Sequence, residues 1–344
     1  AFGRIEQVVT PGPGRIESDC PISVQCGGCC FRHISYPAEL AAKEGFVRDA
    51  LSRIGKLETS TAPILPSPVE QRYRNKAQFP VAQSKDGGLA FGLYASRSHR
   101  VIPCANCLLQ PDIINRIAAR AAELLEELGV SVYDEAARSG LVRHMYLRLG
   151  AHSGEILLCL VTTTGHFPKK QYFTDMLAAE FPAIRTIVLN VNPEDTNVVL
   201  GKKNIPLLGS GYIHDTLAGV PIRLDAMSFS QVNTAAAERL FAVAREYAAP
   251  SPDNILLDLY RGAGVLGLSM ARGCREMIGV QIVPEPVKNA QASAAPMGLA
   301  NTRLICAHPR KAAAQPAQET LPQDVITAEP PPPASRTLNH HHLP

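Results

Sequence analysis

Apolar residues recur along this chain at two different periods. In "SYPAELAAKEGFVRDALSRIG", Leu40, Val47, Leu51 and Ile54 fall at helical spacing, and Gly55 stands where a helix would be capped. In "PDIINRIAARAAELLEELG", Ile113, Ile117, Ala121, Leu124 and Leu128 share one face of a second predicted helix, ended by Gly129. Short apolar runs at about 72–82, 89–94, 141–149, 155–162 and 184–191, separated by Pro, Gly and Asn, predict strands. From about residue 235 the pattern changes to strand–helix alternation, which predicts a parallel α/β sheet. Its strands are expected at about 254–260, 277–282, 302–306 and 323–328, with a helix over 265–271. The closing "PPPPASRTLNHHHLP" reads as a disordered tail rather than a histidine metal site.

Composition adds bounds. With 344 residues, 46% of them hydrophobic, the chain can build two or three cored domains without disulfides. No run of 18 apolar residues appears, so no membrane-spanning helix is expected. "AFGRIEQVVT" has no signal-peptide pattern, and its lack of Met reads as a fragment or processed start. A net charge of +3 excludes little. A reducing cytoplasm is the expected compartment, where clustered thiols serve as metal ligands more often than as disulfides.

That matters because "CPISVQCGGCC" holds four of the nine cysteines. Two metal readings fit. Zinc would use two C-x-x-C pairs, Cys26 with Cys29 and Cys104 with Cys107. An iron–sulfur cluster would use Cys20, Cys26, Cys29 and Cys107, with Gly27 and Gly28 letting the backbone wrap closely. Spacing alone leaves both open, beside the plain reading of buried thiols.

Two further stretches carry chemistry. On a strand through "QRYRNKAQFPV", Arg72, Arg74 and Lys76 would share one face as a cationic row suited to a phosphate backbone, or as a solvated strand face. In "NILLDLYRGAGVLGLSMARG", an apolar strand broken only by Asp258 runs into a glycine turn and a helix. We read the turn as Gly262-x-Gly264 without the third glycine of a dinucleotide site. That disfavours pyrophosphate and favours a ligand such as S-adenosylmethionine (SAM). The next strand ends at Gln281, where an acidic residue would be expected to hold ribose hydroxyls.

The stretches "CPISVQCGGC", "YRNKAQFPV", "CLLQP", "LNVNPEDTNVVLG", "SFSQVN", "LLDLYRGAGVLGL" and "GVQIVPEPV" together resemble the bacterial RNA (uracil-5-)-methyltransferases. The likeness is to the iron–sulfur branch acting on 23S ribosomal RNA. It implies a Rossmann-like SAM-dependent methyltransferase domain behind a β-rich iron–sulfur domain. The implied division is a remnant of an OB-like RNA-binding domain at 1–19, whose last strand "AFGRIEQVVTPGPGRIE" resembles. A central domain follows at 20–230, a partial methyltransferase domain at 231–330 and a tail at 331–344. The helix 36–54 is a candidate to pack on the methyltransferase domain. The resemblance implies a [4Fe–4S] cluster on Cys20, Cys26, Cys29 and Cys107, with Cys30 and Cys104 as bystanders. It implies that Gln231, Tyr260, Gly262, Gly264, Gln281 and Glu329 surround SAM, and that Arg72, Arg74 and Lys76 meet RNA. The first strand of the implied sheet is central, between the second and the fourth, with the third beyond the second. A cytoplasmic monomer is implied.

The family's chemistry is addition of a cysteine to uracil carbon 6, methyl transfer to carbon 5 and removal of the carbon-5 proton by a base, on a flipped-out nucleotide. Here the chain departs from the pattern. "ITAEPPPPA" stands where D-P-P-R is usual, so Glu329 replaces the aspartate and Pro332 the arginine. Arg261 replaces the usual cysteine before the turn, and Gln281 the usual glutamate. No "SCNP"-like nucleophile segment and no base segment follow. Cys306 reads as a core thiol. The expectation is an enzyme lineage truncated at both ends and inactive as it stands, with a non-catalytic RNA-binding iron–sulfur protein as the alternative.

Overall fold

The computed structural model describes residues 5–84, 86–259, 264–307 and 324–328. The chain divides into two compact units. The first comprises residues 1–148, 158–182 and 187–208; the second comprises 149–157, 183–186 and 209–344. Residues 5–19 form no strand beyond a single bridge from Arg15 to Ile34, so the expected strand there is not formed.

In the first unit, α1 (Tyr36–Asp49) starts where the Ser35 hydroxyl accepts the Ala38 N–H, with Pro37 in the first turn. It widens into a π turn over Ala50–Ile54, and the Gly55 N–H reaches back to the Ala50 carbonyl. Gly55 keeps a right-handed φ of −73°, so it is not a left-handed stop. The expected apolar face also fails to close: no residue of α1 is buried, and Phe46, Val47 and Ile54 are exposed.

The five predicted strands and two unpredicted ones, at 101–103 and 203–208, form a seven-stranded sheet whose strands, numbered in chain order, lie in the order 3-2-1-4-5-6-7. They are β1 (Lys76–Gln83), β2 (Leu89–Tyr94), β3 (Val101–Pro103), β4 (Val142–Leu149), β5 (Ile156–Thr162), β6 (Ile184–Val191) and β7 (Lys203–Leu208). β1 begins at Lys76 rather than near 72 because Arg72 takes a left-handed φ of +56°. The Arg72 and Arg74 N–H groups bond the Leu108 and Leu109 carbonyls instead.

Helix α2 (Asp112–Glu127) packs on β2 and on α3 (Lys170–Glu180). Ile114, Asn115, Ile117, Ala118, Ala121, Ala122, Leu124 and Leu125 are its buried residues, so the core face is centred one position on from the predicted one. Ile113 and Leu128 sit at its margins, half-buried. Gly129 ends the helix at φ +62°, and the Val130 N–H returns to the Leu125 carbonyl.

In the second unit, the hairpin of β8 (Tyr212–Leu217) and β9 (Val220–Asp225) alternates buried and open positions. Buried Asp215 in β8 accepts the N–H groups of Ala151, His152 and Ser153, which anchors that loop. Helix α4 (Thr234–Ala248) is capped by the Asn233 side chain. A parallel sheet follows, built from β10 (Ile255–Leu259), β11 (Glu276–Gln281), β12 (Thr302–Cys306) and β13 (Val325–Ala328). Helices α5 (Val265–Met270) and α6 (Pro284–Ala294) pack on this sheet and on β9. Ile255, Leu257, Ile278 and Val280 form its core. The order β12-β11-β10-β13 puts the first strand between second and fourth, as the resemblance implied. Cys306 is exposed at the end of β12, so it is not the core thiol expected. Among the described residues, no helix is long and apolar enough to cross a membrane.

One buried group makes the first unit sensitive to acid. His144, in β4, is held neutral by burial first and then by the Arg143 charge, which together push its pKa down to about 4 from 6.5; Glu135 opposes the shift and His99 adds to it. An unfolded His144 takes up its proton near pH 6.5, whereas the native one waits until about 4. Stability from this group is therefore whole above pH 6.5 and is lost as pH falls towards 4, by up to about 3 kcal/mol. Urea unfolding at stepped pH should show this loss, and His144→Gln should flatten that part of the profile.

Candidate functional site

Three groups of residues carry chemistry, and each is built by local packing. The first lies at the carboxyl edge of the parallel sheet, where ligands bind in open α/β folds. Gly264 caps α5 with a left-handed φ of +74°. Gly267 corrects the sequence reading, because Gly262, Gly264 and Gly267 stand at G-x-G-x-x-G spacing and the third glycine is present. Its role is packing. A Cβ at Gly267 would stand 2.5 Å from Asp258 Oδ2.

Asp258, the one polar break in β10, is buried there. Its Oδ2 accepts the Gly267 N–H at 3.2 Å, and its Oδ1 accepts the Thr327 hydroxyl at 2.9 Å. One carboxylate thus ties strand, helix and neighbouring strand. Sequence reasoning noted Asp258 without seeing this role; its nine-residue distance from Gly267 was the available signal.

Gln281 ends β11 at the same edge. Its Oε1 accepts the N–H groups of Ile282 and Val283, at 2.7 and 3.3 Å, so the amide braces the entry to α6. Gln231 lies half-buried in the segment before α4. Tyr260, Arg261, Gly262, Glu329 and Pro332 lie outside the described residues.

The second group is the thiols. Cys20, Cys26, Cys29, Cys104 and Cys107 line one cavity of the first unit, together with Ile22, Leu93 and Leu108. No carboxylate or imidazole is among its described lining residues. The Cys26–Cys29 loop is fixed by the Gly27 N–H on the Tyr94 carbonyl, and the Gly28 N–H points to Cys26 Sγ at 3.3 Å. Burial raises the Cys26 and Cys29 thiols. Cys107 is lowered, first because the Cys104 thiol donates to it and then by the Leu109 and Gln110 N–H groups and Arg74. Cys104 is raised by the same bond. Cys104 is therefore inside the cavity rather than apart from it, whereas Cys30 is exposed.

Among the described residues, no three His, Cys, Asp or Glu side chains stand close enough together to hold a metal ion. The chemistry of the donor set nonetheless fits a thiophilic centre, since it is all sulfur, lined by apolar groups and supported by N–H donors.

The third group is cationic. Arg72 does not join it: its Nη1 donates to Asn106 Oδ1, the Cys107 carbonyl and the Gln110 carbonyl, at 3.0, 2.9 and 3.0 Å, and pairs with Asp112. Arg148 takes its place, a residue the sequence reading missed. It stands opposite Lys76 across the β1–β4 ladder and is 2% exposed, with its guanidinium over the Tyr146 ring. Burial, then Arg148 and Arg74, lowers the Lys76 pKa. Like charges directly opposite each other cost stability in a sheet, and an anion on this row would offset that cost.

No protein-family profile matches the chain. It is 36% identical over 331 residues to an uncharacterized RNA methyltransferase of Halalkalibacterium halodurans, covering 96% of this chain and 72% of that one. A Bacillus cereus RNA methyltransferase, also uncharacterized, is 36% identical over 305 residues, 88% of this chain and 66% of that one. Among solved structures, the tRNA (uracil-54, C5)-methyltransferase of Pyrococcus abyssi, in complex with S-adenosyl-L-homocysteine, superposes with a TM-score of 0.67 at 23% identity. That match covers 87% of this chain and 67% of that one, and the likeness is one of fold.

The close approach of α5 to β10 can be tested directly. Gly267→Ala forces a methyl group against the Asp258 carboxylate. Overpacking of this kind costs about 1–3 kcal/mol. Thermal unfolding should show that loss, while Gly298→Ala, where a Cβ meets nothing within 4 Å, should cost only the strain of its left-handed φ.

Proposed function

The chain belongs to the family of these bacterial RNA methyltransferases, and from that premise we propose that it binds SAM at the carboxyl edge of its parallel sheet and serves methylation of uracil carbon 5 in RNA. The observation that carries this reading is the glycine turn closed by Gly267 on Asp258, one strand from Gln281 at the same edge. The donor supplies a methyl group on a sulfonium centre. Gly264 and Gln281 shape its seat, with Gln231, Tyr260, Gly262 and Glu329 as the other expected contacts. Residues 1–344 contain no segment matching the family's nucleophile or base, so no catalytic side chain is assigned among them and no turnover is expected from them alone. Arg74 and Lys76 are the proposed phosphate contacts, with the buried Arg148 and the bracing Arg72 behind them. The sequence stretches favour 23S ribosomal RNA as the target. The Pyrococcus likeness makes tRNA the second reading, and binding of 23S fragments against tRNA decides between them.

The thiol cavity is proposed to hold a [4Fe–4S] cluster on Cys20, Cys26, Cys29 and Cys107. Bound there, the cluster would cross-link an irregular loop, and no electron transfer is needed of it. Anaerobically purified protein should carry iron and a visible chromophore. Cys107→Ser should bleach it and Cys104→Ser should leave it. Stoichiometric zinc without iron would overturn the assignment in favour of the paired C-x-x-C site.

Gln281 sets the strength of donor binding. A carboxylate there could keep the bonds from Ile282 and Val283 and use its second oxygen for a ribose hydroxyl. Charge-assisted bonds exceed neutral ones by about 1 kcal/mol, or several-fold in affinity. Calorimetry should therefore show tighter SAM binding for Gln281→Glu. An unchanged affinity would place the ribose elsewhere.

A further inference from the structure

One charged side chain lines the thiol cavity. Arg32 stands in its wall with Cys20, Cys26, Cys29, Cys104 and Cys107, and the other described lining residues are apolar or neutral. The Arg32 side chain is largely withdrawn from solvent, at 19% exposure. Asp19 is the carboxylate that meets it, with Oδ1 3.4 Å from Nε. Asp19 is itself held by the Gln71 amide, which donates to its Oδ2 at 2.8 Å. This carboxylate is half exposed, at 49%, so water screens it. Arg32 Nη2 is buried and makes no hydrogen bond.

A guanidinium keeps its charge and all its N–H protons in a protein, so neither a tautomer nor a titration of Arg32 enters. A buried cation is costly unless an opposite charge stands near it, and the screened Asp19 supplies only part of that charge. The thiols supply more once they act as ligands, because a ligating thiol is a thiolate. Arg32 follows Cys29 by three residues, so one short stretch of chain carries ligand and cation together. Burial raises the Cys29 thiol first, and the Arg32 charge is the strongest influence opposing that rise. Coulomb attraction has no preferred direction, so it acts whichever way a single N–H points. Four thiolates outweigh the positive charge of an iron–sulfur core, so a loaded cavity is anionic. Net charge is one of the quantities that set the potential of such a centre.

We propose that Arg32 is the counter-charge of the centre held by Cys20, Cys26, Cys29 and Cys107: its guanidinium offsets the thiolate charge, raises the reduction potential of the centre and slows the loss of metal from it, and Asp19 moderates both effects through its ion pair with Arg32. The inference rests on the reading of the preceding subsection that these thiols hold a metal centre. The iron–sulfur and the zinc ligand sets both include Cys29, so the charge acts on either. Arg53 offers an internal contrast. It pairs with Asp49 at 3.6 Å, but its side chain is 79% exposed and it does not line the cavity.

The test uses the full chain, purified under argon, and follows the rate at which its metal passes to a chelator: ferrous iron to bathophenanthroline, or zinc to a pyridylazo dye. Arg32→Gln should release metal about tenfold faster. Arg32→Lys keeps the charge and should stay close to the unsubstituted chain. Asp19→Asn keeps an acceptor for Gln71 and removes only the charge, so it should release metal more slowly. Arg53→Gln should change nothing. For an iron–sulfur centre, potentiometric titration with dithionite reads the same charge. Arg32→Gln should lower the one-electron reduction constant about tenfold, which is 59 mV, and Asp19→Asn should raise it. A purely packing role for the Arg32–Asp19 pair predicts faster release from both variants, and that result would overturn the proposal. So would release and potential unmoved by either, or an equal effect of Arg53→Gln. Should Arg32→Gln fold poorly, Asp19→Asn and Arg32→Lys decide. The metal content of the unsubstituted chain tests the earlier reading separately. Zinc in place of iron overturns the cluster and leaves Arg32 to be judged on zinc release, and a chain that holds neither metal overturns both.

Discussion

A single guanidinium holds the first unit's chemistry together. Arg72 sits at a left-handed turn and reaches three oxygens of the loop 106–110 at once. The loop that presents Cys107 is thereby clamped to the chain that enters β1. The clamp is doubled by the backbone bonds from Arg72 and Arg74 to Leu108 and Leu109. The thiol cavity and the cationic row share one construction, since the same short segment carries Arg74 and Lys76 and, through Arg72, fixes the loop of Cys107.

The second unit relies on a different device. Its parallel sheet must bring α5 close to β10 to shape the glycine turn, and a bare backbone allows that approach. Asp258 fills the contact with a buried carboxylate whose bonds go to a backbone N–H and a hydroxyl. Burying a charge is unfavourable unless it is hydrogen-bonded, and these two bonds answer that requirement while fixing the register of β10 with β13.

Strong periodicity was the legible part of the sequence. The strands at 89–94 and 184–191 and the helix ending at Gly129 follow patterns that burial imposes, whereas the order of the parallel sheet came from the family resemblance. The short or open elements were not legible. β3 has three residues, and β7 is an outer strand with no buried position, so neither carries a clear alternation. The face of α1 looked like a core face because its spacing was right, but spacing says nothing about whether a partner is present. At the sites, residue types were readable and directions were not. Arg72, Arg74 and Lys76 alternate as a strand would, yet one left-handed residue turns Arg72 away. Arg148 came into the row from 72 positions along the chain, through a strand pairing that no local pattern reveals. Gly267 completes the glycine spacing in the sequence itself, and its contact with Asp258 explains why it is there.

The crowding of Lys76 against Arg74 and Arg148 also bears on its reactivity. An amine that gives up its proton more easily than an ordinary lysine is nucleophilic at lower pH. Lys76 is half-buried rather than sealed, so a small acylating reagent can reach it. Acylation would remove one charge from the row and ease the repulsion beside it. An anion seated there would instead favour the protonated form and shield the amine. The rate at which one lysine is modified therefore reports, without any label on the nucleic acid, whether the row is occupied.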